Sequence, residues 1–115
     1  MGILAIFIII GSVSSCNKDK TPIIVPGECE DTVSFVGKIQ PMIELNCATS
    51  GCHDTGSAGG YNLIGHGNIS ANANQILNVI RHESGVSPMP KNLPKLNDTL
   101  IEQFNCWMVQ GKLNN

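Results

Sequence analysis

Aromatic side chains are scarce in this chain of 115 residues: three Phe, one Trp and one Tyr, 4% of the total. A folded domain made from it has few large rings for its centre, so something other than Phe and Trp is expected to occupy that space. Charge is also sparse, 14% of residues with a formal net charge of −2. No basic stripe and no acidic tail is present, which removes nucleic acid as a partner. Internal repeats and strand-like alternation are missing. Neither a paired-carboxylate site nor a Ser-His-Asp pattern stands out, so a hydrolase has no support.

What the chain has first is a compact apolar run, Ile3 to Ile10. It is too short for a membrane-crossing helix, which takes roughly 20 apolar residues. A signal-peptide hydrophobic region over 1–15 is the better reading, although no Lys or Arg precedes the run. Small residues and a cysteine follow, Val13-Ser14-Ser15-Cys16, and this stretch resembles a bacterial lipoprotein lipobox. The resemblance implies cleavage before Cys16 and a diacylglycerol on its thiol, against the plainer alternative of a secretory signal with an incidental cysteine. Residues 16–28 are polar, carry Pro22, Pro26 and Gly27, and show no helical or strand period. They read as a lipidated tether that holds a domain, 29–115, away from a membrane surface. A domain of that length buries a limited core and often needs a staple or a cofactor.

Five cysteines are an odd number for an exported protein. Assigning Cys16 to lipid and treating Cys47 and Cys52, beside His53, as a pair with a shared task leaves Cys29 and Cys106. These lie at the two ends of the domain and could close it with one disulfide in an oxidising compartment. The alternative is a buried free thiol at either position.

Within the domain, Thr32-Val33-Ser34 can cap a first helical turn, after which Phe35, Ile39, Met42 and Ile43 recur at helical spacing. Pro41 suits a first turn, so the main helix is expected from near Pro41 to about Cys47. Thr55 to Gly67 is glycine-rich loop. Ser70 can cap a second helix running to about His82, with Ile76, Val79 and Ile80 on one face. Gly85 to Pro94 holds three prolines and no period. Asn97 or Asp98 caps a third helix with Leu100, Phe104, Trp107 and Met108 as its apolar stripe, and Gly111 ends it. The expected fold class is therefore all-α, three helices separated by long loops of the kind usually kept for function.

The segment that carries chemistry is Cys47-Ala48-Thr49-Ser50-Gly51-Cys52-His53. Covalent haem needs two thiols to add across the two porphyrin vinyl groups and an imidazole to reach the iron from the same side. The usual arrangement is Cys-x-x-Cys-His; here four residues separate the cysteines. On spacing alone, haem shares the field with a local disulfide and half of a zinc site. Zinc wants four ligands, and no second Cys/His pair stands nearby. Met89 lies in Pro88-Met89-Pro90, outside any helical stripe, where prolines stiffen the backbone. A thioether there suits a sixth iron ligand and electron transfer. Met42 and Met108 instead fit core positions.

Taken together, residues 33–115 resemble a class I-like monohaem c-type cytochrome domain, of the variant common in exported bacterial proteins. The stretches that carry the resemblance are Phe35 to Ile43, Asn46 to Asp54, Gly60-Tyr61-Asn62-Leu63, Ser87-Pro88-Met89-Pro90, Leu96-Asn97-Asp98 with Ile101, and Trp107-Met108 with Gly111. The departures are the longer cysteine spacing and Cys106 before Trp107. The resemblance implies a cytochrome c-like fold around one covalent haem c. Cys47 and Cys52 would form the thioethers, His53 the proximal ligand and Met89 the distal ligand. Tyr61, Leu63, Ile80, Leu93 and Trp107 are candidates to line it, and Arg81 and Lys91 to face its propionates; ordinary packing and solvent exposure are the respective alternatives. His66 and His82 are rival ligands whose plainer reading is solvent exposure.

The expected function is electron transfer with redox partner proteins by a lipid-anchored protein exported to the periplasm or cell surface. An electron carrier or redox subunit is favoured over an enzyme. The rival readings are a small peroxidase-like haem enzyme and a non-haem surface lipoprotein that binds a partner.

Overall fold

In this computed structural model the described residues are 29–115; the expected signal segment 1–15, the tether 16–28 and Cys16 lie outside them. Among the described residues the fold is helical and contains no strand. Ser34 opens the first element by accepting from the Gly37 amide (3.0 Å), as its cap position favours. A π-helical turn, Phe35–Ile39, leads into α1, Gln40–Asn46, with Pro41 in the first turn where its missing N–H costs little.

The second expected helix differs from its sequence reading. It starts earlier, at His66, and Asn72 divides it into α2, His66–Ala71, and α3, Ala73–Ile80. Ser70 is inside α2 and caps nothing. Two asparagines explain the change. Asn68 Nδ2 donates to the Ile64 carbonyl and Asn72 Nδ2 to the Asn68 carbonyl, each at 2.8 Å. These side chains satisfy backbone oxygens locally and compete with regular helix at Asn72. The last helix, α4, spans Asp98–Val109, with Asn97 accepting from the Leu100 amide (2.9 Å). Gly111, at φ +96°, turns the chain so that the Lys112 amide donates back to the Trp107 carbonyl.

The core gathers around α4. Phe104 and Trp107 are fully buried and meet Phe35 and Ile39 of the π-turn, Ile43 of α1, Ile69 of α2 and Ile80 of α3. Trp107 therefore belongs to this core; its ring packs on Phe35, Phe104 and His66, and its Nε1 donates to the Leu113 carbonyl (2.8 Å). Met42 is buried and Met108 packs against the same cluster, as core methionines do.

The ends of the described region are sewn together. Cys29 and Cys106 form a disulfide with a Cα–Cα distance of 5.5 Å. The Gln110 side chain accepts from the Val33 amide and donates to the Asp31 carbonyl, both at 2.8 Å. Asn115 accepts from the Phe35 amide through Oδ1 and from the Val36 amide through its backbone oxygen. No described helix is long and apolar enough to cross a membrane.

Candidate functional site

The segment after α1 folds back on itself. The Cys47 and Ala48 amides both donate to the Ile43 carbonyl (2.8 Å), ending the helix. Gly51 takes φ +80°, a conformation glycine adopts without penalty. The Cys52 amide then donates to the Thr49 carbonyl (3.0 Å) and the His53 amide to the Cys47 carbonyl (3.1 Å). The four intervening residues thus form a closed turn that returns His53 to the level of Cys47. Asp54 braces it from below, accepting from the Gly51 amide (3.4 Å) and the Gly56 amide (3.0 Å).

Residues 55–63 then wrap His53. The Gly59 amide donates to the Cys52 carbonyl (2.8 Å), and the Leu63 amide to the His53 carbonyl (2.9 Å). His53 Nδ1 lies 3.0 Å from the Tyr61 carbonyl. A carbonyl only accepts, so Nδ1 carries the proton and the Nε2 lone pair is left for an external acid such as a metal. Gly59 leaves room for the ring: a Cβ built there would stand 2.8 Å from His53 Cε1 and 2.9 Å from Nδ1. Sequence reasoning counted Gly59 only as one of several loop glycines, because nothing in the local composition says which of them meets the imidazole.

One cleft of about 270 Å³ brings together Cys47, Cys52, His53 and Met89. Its walls are largely aliphatic: Leu63, Ile76, Val79, Ile80, Pro90 and Leu93. A second lobe of about 340 Å³ adjoins it, sharing His53, Leu63, Ile76, Val79 and Met89 and reaching Tyr61 and Val86. Together the lobes reach the size of an organic cofactor site, roughly 300–1,000 Å³. Of the expected lining residues, Tyr61, Leu63, Ile80 and Leu93 are on this cleft and Trp107 is not. Lys91 lines it; Arg81 does not.

Cys47 and Cys52 are free thiols, Cys47 buried and Cys52 exposed. Burial, and then the neighbouring Cys52, pushes the Cys47 thiol up from 9.0 to about 11, so it stays protonated at neutral pH. Met89 is fixed through its backbone, its amide donating to the Val79 carbonyl (3.0 Å).

The other two histidines are engaged elsewhere. His66 is half-buried rather than exposed, edge-on to Phe35 and Trp107, with Nε2–H donating to the Lys112 carbonyl (2.7 Å). His82 is half-buried with Nε2 3.1 Å from the Met89 carbonyl. Among the described residues no three His, Cys, Asp or Glu side chains cluster into a metal cage. The donor set at the cleft is instead two thiols, one imidazole with a free Nε2 and one thioether. Such a set has the donor types that soft or borderline metals prefer. No family model, curated protein or solved structure matches this chain.

Proposed function

We propose that this chain is an exported, lipid-anchored c-type cytochrome that carries single electrons on one covalently bound haem, with a cytochrome c-like fold. The carrying observation is that Cys47, Cys52, His53 and Met89 line one apolar cleft as free groups, while Cys29 and Cys106 are already joined. Among the described residues the two free thiols are thus the two beside the imidazole.

The residues divide the work. Cys47 and Cys52 would hold a haem covalently, each thiol adding S–H across one vinyl C=C, which needs no oxidant. His53 would offer Nε2 to the iron, held in that tautomer by the Tyr61 carbonyl, with Gly59 leaving room for the ring. Met89, on the same cleft, would offer its thioether sulfur to the iron. The buried aliphatic residues Leu63, Ile76 and Ile80 would shield one side of the group from water, which together with a methionine ligand would favour the reduced state. A haem so held supplies reversible one-electron iron chemistry, and the protein supplies ligands, burial and access. Lys91 on the cleft rim can answer a propionate charge. Cys16 would bear the lipid, 16–28 would act as the tether, and the electron donor and acceptor would be other redox proteins at that membrane face.

Expression with a c-type maturation system tests the proposal. The wild-type protein should stain for haem on a denaturing gel, and a Cys47→Ser/Cys52→Ser variant should not. The reduced wild type should be six-coordinate, low-spin and resistant to carbon monoxide. Ready carbon monoxide binding would favour the peroxidase-like enzyme; no stain would sink the haem reading.

A further inference from the structure

Both backbone groups of Met89 are fastened to the C-terminal end of α3. The Met89 amide donates to the Val79 carbonyl (3.0 Å), and the same carbonyl accepts from the His82 amide (3.2 Å). The Met89 carbonyl accepts from His82 Nε2–H (3.1 Å). On either side of Met89 the chain has no amide hydrogen to offer, since Pro88 and Pro90 lack one. The imidazole of His82 is therefore the side chain that ties this loop to the helix. His82 also occupies φ +56°, which non-glycine residues adopt rarely and His, Asn and Asp more readily than most. That backbone turns the side chain off the end of α3 and back toward the methionine loop. Pro90 and Leu93, next along the same loop, also line the cleft.

We infer that His82 is a positioning residue for Met89: its hydrogen bond to the Met89 carbonyl holds the methionine loop shut over the cleft. As far as it concerns iron ligation this rests on the haem reading above; as far as it concerns the loop it stands alone. His82 is thus neither a rival ligand nor a solvent-facing side chain. Its ring is committed to the backbone of the residue that supplies the sulfur. When that bond breaks, Met89 keeps only the amide bond to Val79, and the loop opens more often.

The test compares His82→Asn, His82→Gly and His82→Gln. Asn and Gly tolerate the left-handed backbone, but neither reaches the Met89 carbonyl. Gln has the length to restore a donor. In the matured protein, His82→Asn and His82→Gly should raise the carbon monoxide affinity of the reduced form roughly fivefold, the population change that one uncharged hydrogen bond governs. The Met89 amide should exchange its hydrogen faster by the same factor. His82→Gln should return both readings toward wild type. Covalent attachment itself should be untouched in all three. Wild-type exchange and carbon monoxide affinity in His82→Asn would overturn the inference. So would a Gln variant with the melting temperature of wild type yet as open as the Asn variant, since backbone strain would then be absent and the effect would not be the hydrogen bond. If wild type carries no haem, the functional reading falls, and the Met89 amide exchange still decides the tether.

Discussion

Replacing Gly59 by Ala isolates the contact that holds His53. Gly59 is not in the left-handed region, so alanine meets no backbone strain there. The added methyl would sit 2.8 Å from Cε1 and 2.9 Å from Nδ1 of His53, and 3.1 Å from the Cys52 carbonyl oxygen. Ordinary contact begins near 3.4 Å, so the ring must retreat by about 0.6 Å. The Cys52 carbonyl cannot make room, because it already accepts from the Gly59 amide. A shift of that size disturbs the 3.0 Å hydrogen bond between Nδ1 and the Tyr61 carbonyl. Overpacking costs about 1–3 kcal/mol, and a weakened hydrogen bond about 0.5–1.5 more. A loss of about 2 kcal/mol should lower the melting temperature by roughly 8–16 °C in a domain of this size. Gly60→Ala is the control. Gly60 has φ +88° and no atom near its missing Cβ, so alanine there strains the backbone without touching His53. Both variants should be less stable by denaturant titration. Only Gly59→Ala should also shift the imidazole proton resonances of His53 and the absorption spectrum of the haem-loaded protein. If the His53 resonances are the same in Gly59→Ala as in wild type, the packing argument is wrong.

Four further outcomes follow from the structure. In haem-free protein at pH 8, iodoacetamide should modify Cys47 about 100-fold more slowly than an unfolded cysteine of ordinary pKa, with the rate climbing tenfold per pH unit toward pH 11. The folded state holds this proton more tightly than the unfolded chain, so the associated stability is full below pH 9 and lost as pH rises to about 11; Cys47→Ala should remove that slope. Removing the Cys29–Cys106 bond, which spans 77 residues, should cost on the order of 4 kcal/mol, read as a fall in the urea midpoint, and a loss under about 1 kcal/mol would contradict the loop-closure argument. Gly67→Ala, in α2 with open space at its Cβ and no positive φ, should stabilise by about 0.5–1 kcal/mol, whereas a lower midpoint would show that its backbone freedom is used.

How far the sequence speaks varies by element. The last helix is legible almost to the residue at its ends, because Asn97 caps it and Gly111 releases it; of the expected stripe Phe104 and Trp107 are buried, while Ile101 takes the inward place expected of Leu100. The middle helix is legible only in its second half. Ile76 and Ile80 announce α3, but Asn68 and Asn72 act through side-chain bonds to nearby carbonyls, and a hydrophobic period cannot register those. Trp107 resembles a cofactor neighbour by its place in the motif; in the fold the π-turn presents Phe35 to it and draws it into the core. The candidate site divides the same way. Cys47, Cys52, His53 and Met89 stand out by residue type and flanking residues, and the fold lines one cleft with them. The residues that hold them, Gly59 behind His53 and His82 behind Met89, depend on two loops closing back over a helix, and no spacing encodes that.

The central claim is covalent haem at Cys47 and Cys52, and intact mass under denaturing, reducing conditions tests it most directly. Reduction opens the Cys29–Cys106 disulfide and leaves thioethers intact, so the two kinds of sulfur bond separate cleanly. Protein matured in a c-type system should weigh one haem more than its processed polypeptide, with the increment mapping to the peptide that contains Cys47 and Cys52. A mass equal to the bare reduced polypeptide, with both thiols of that peptide free to alkylate, would contradict the account.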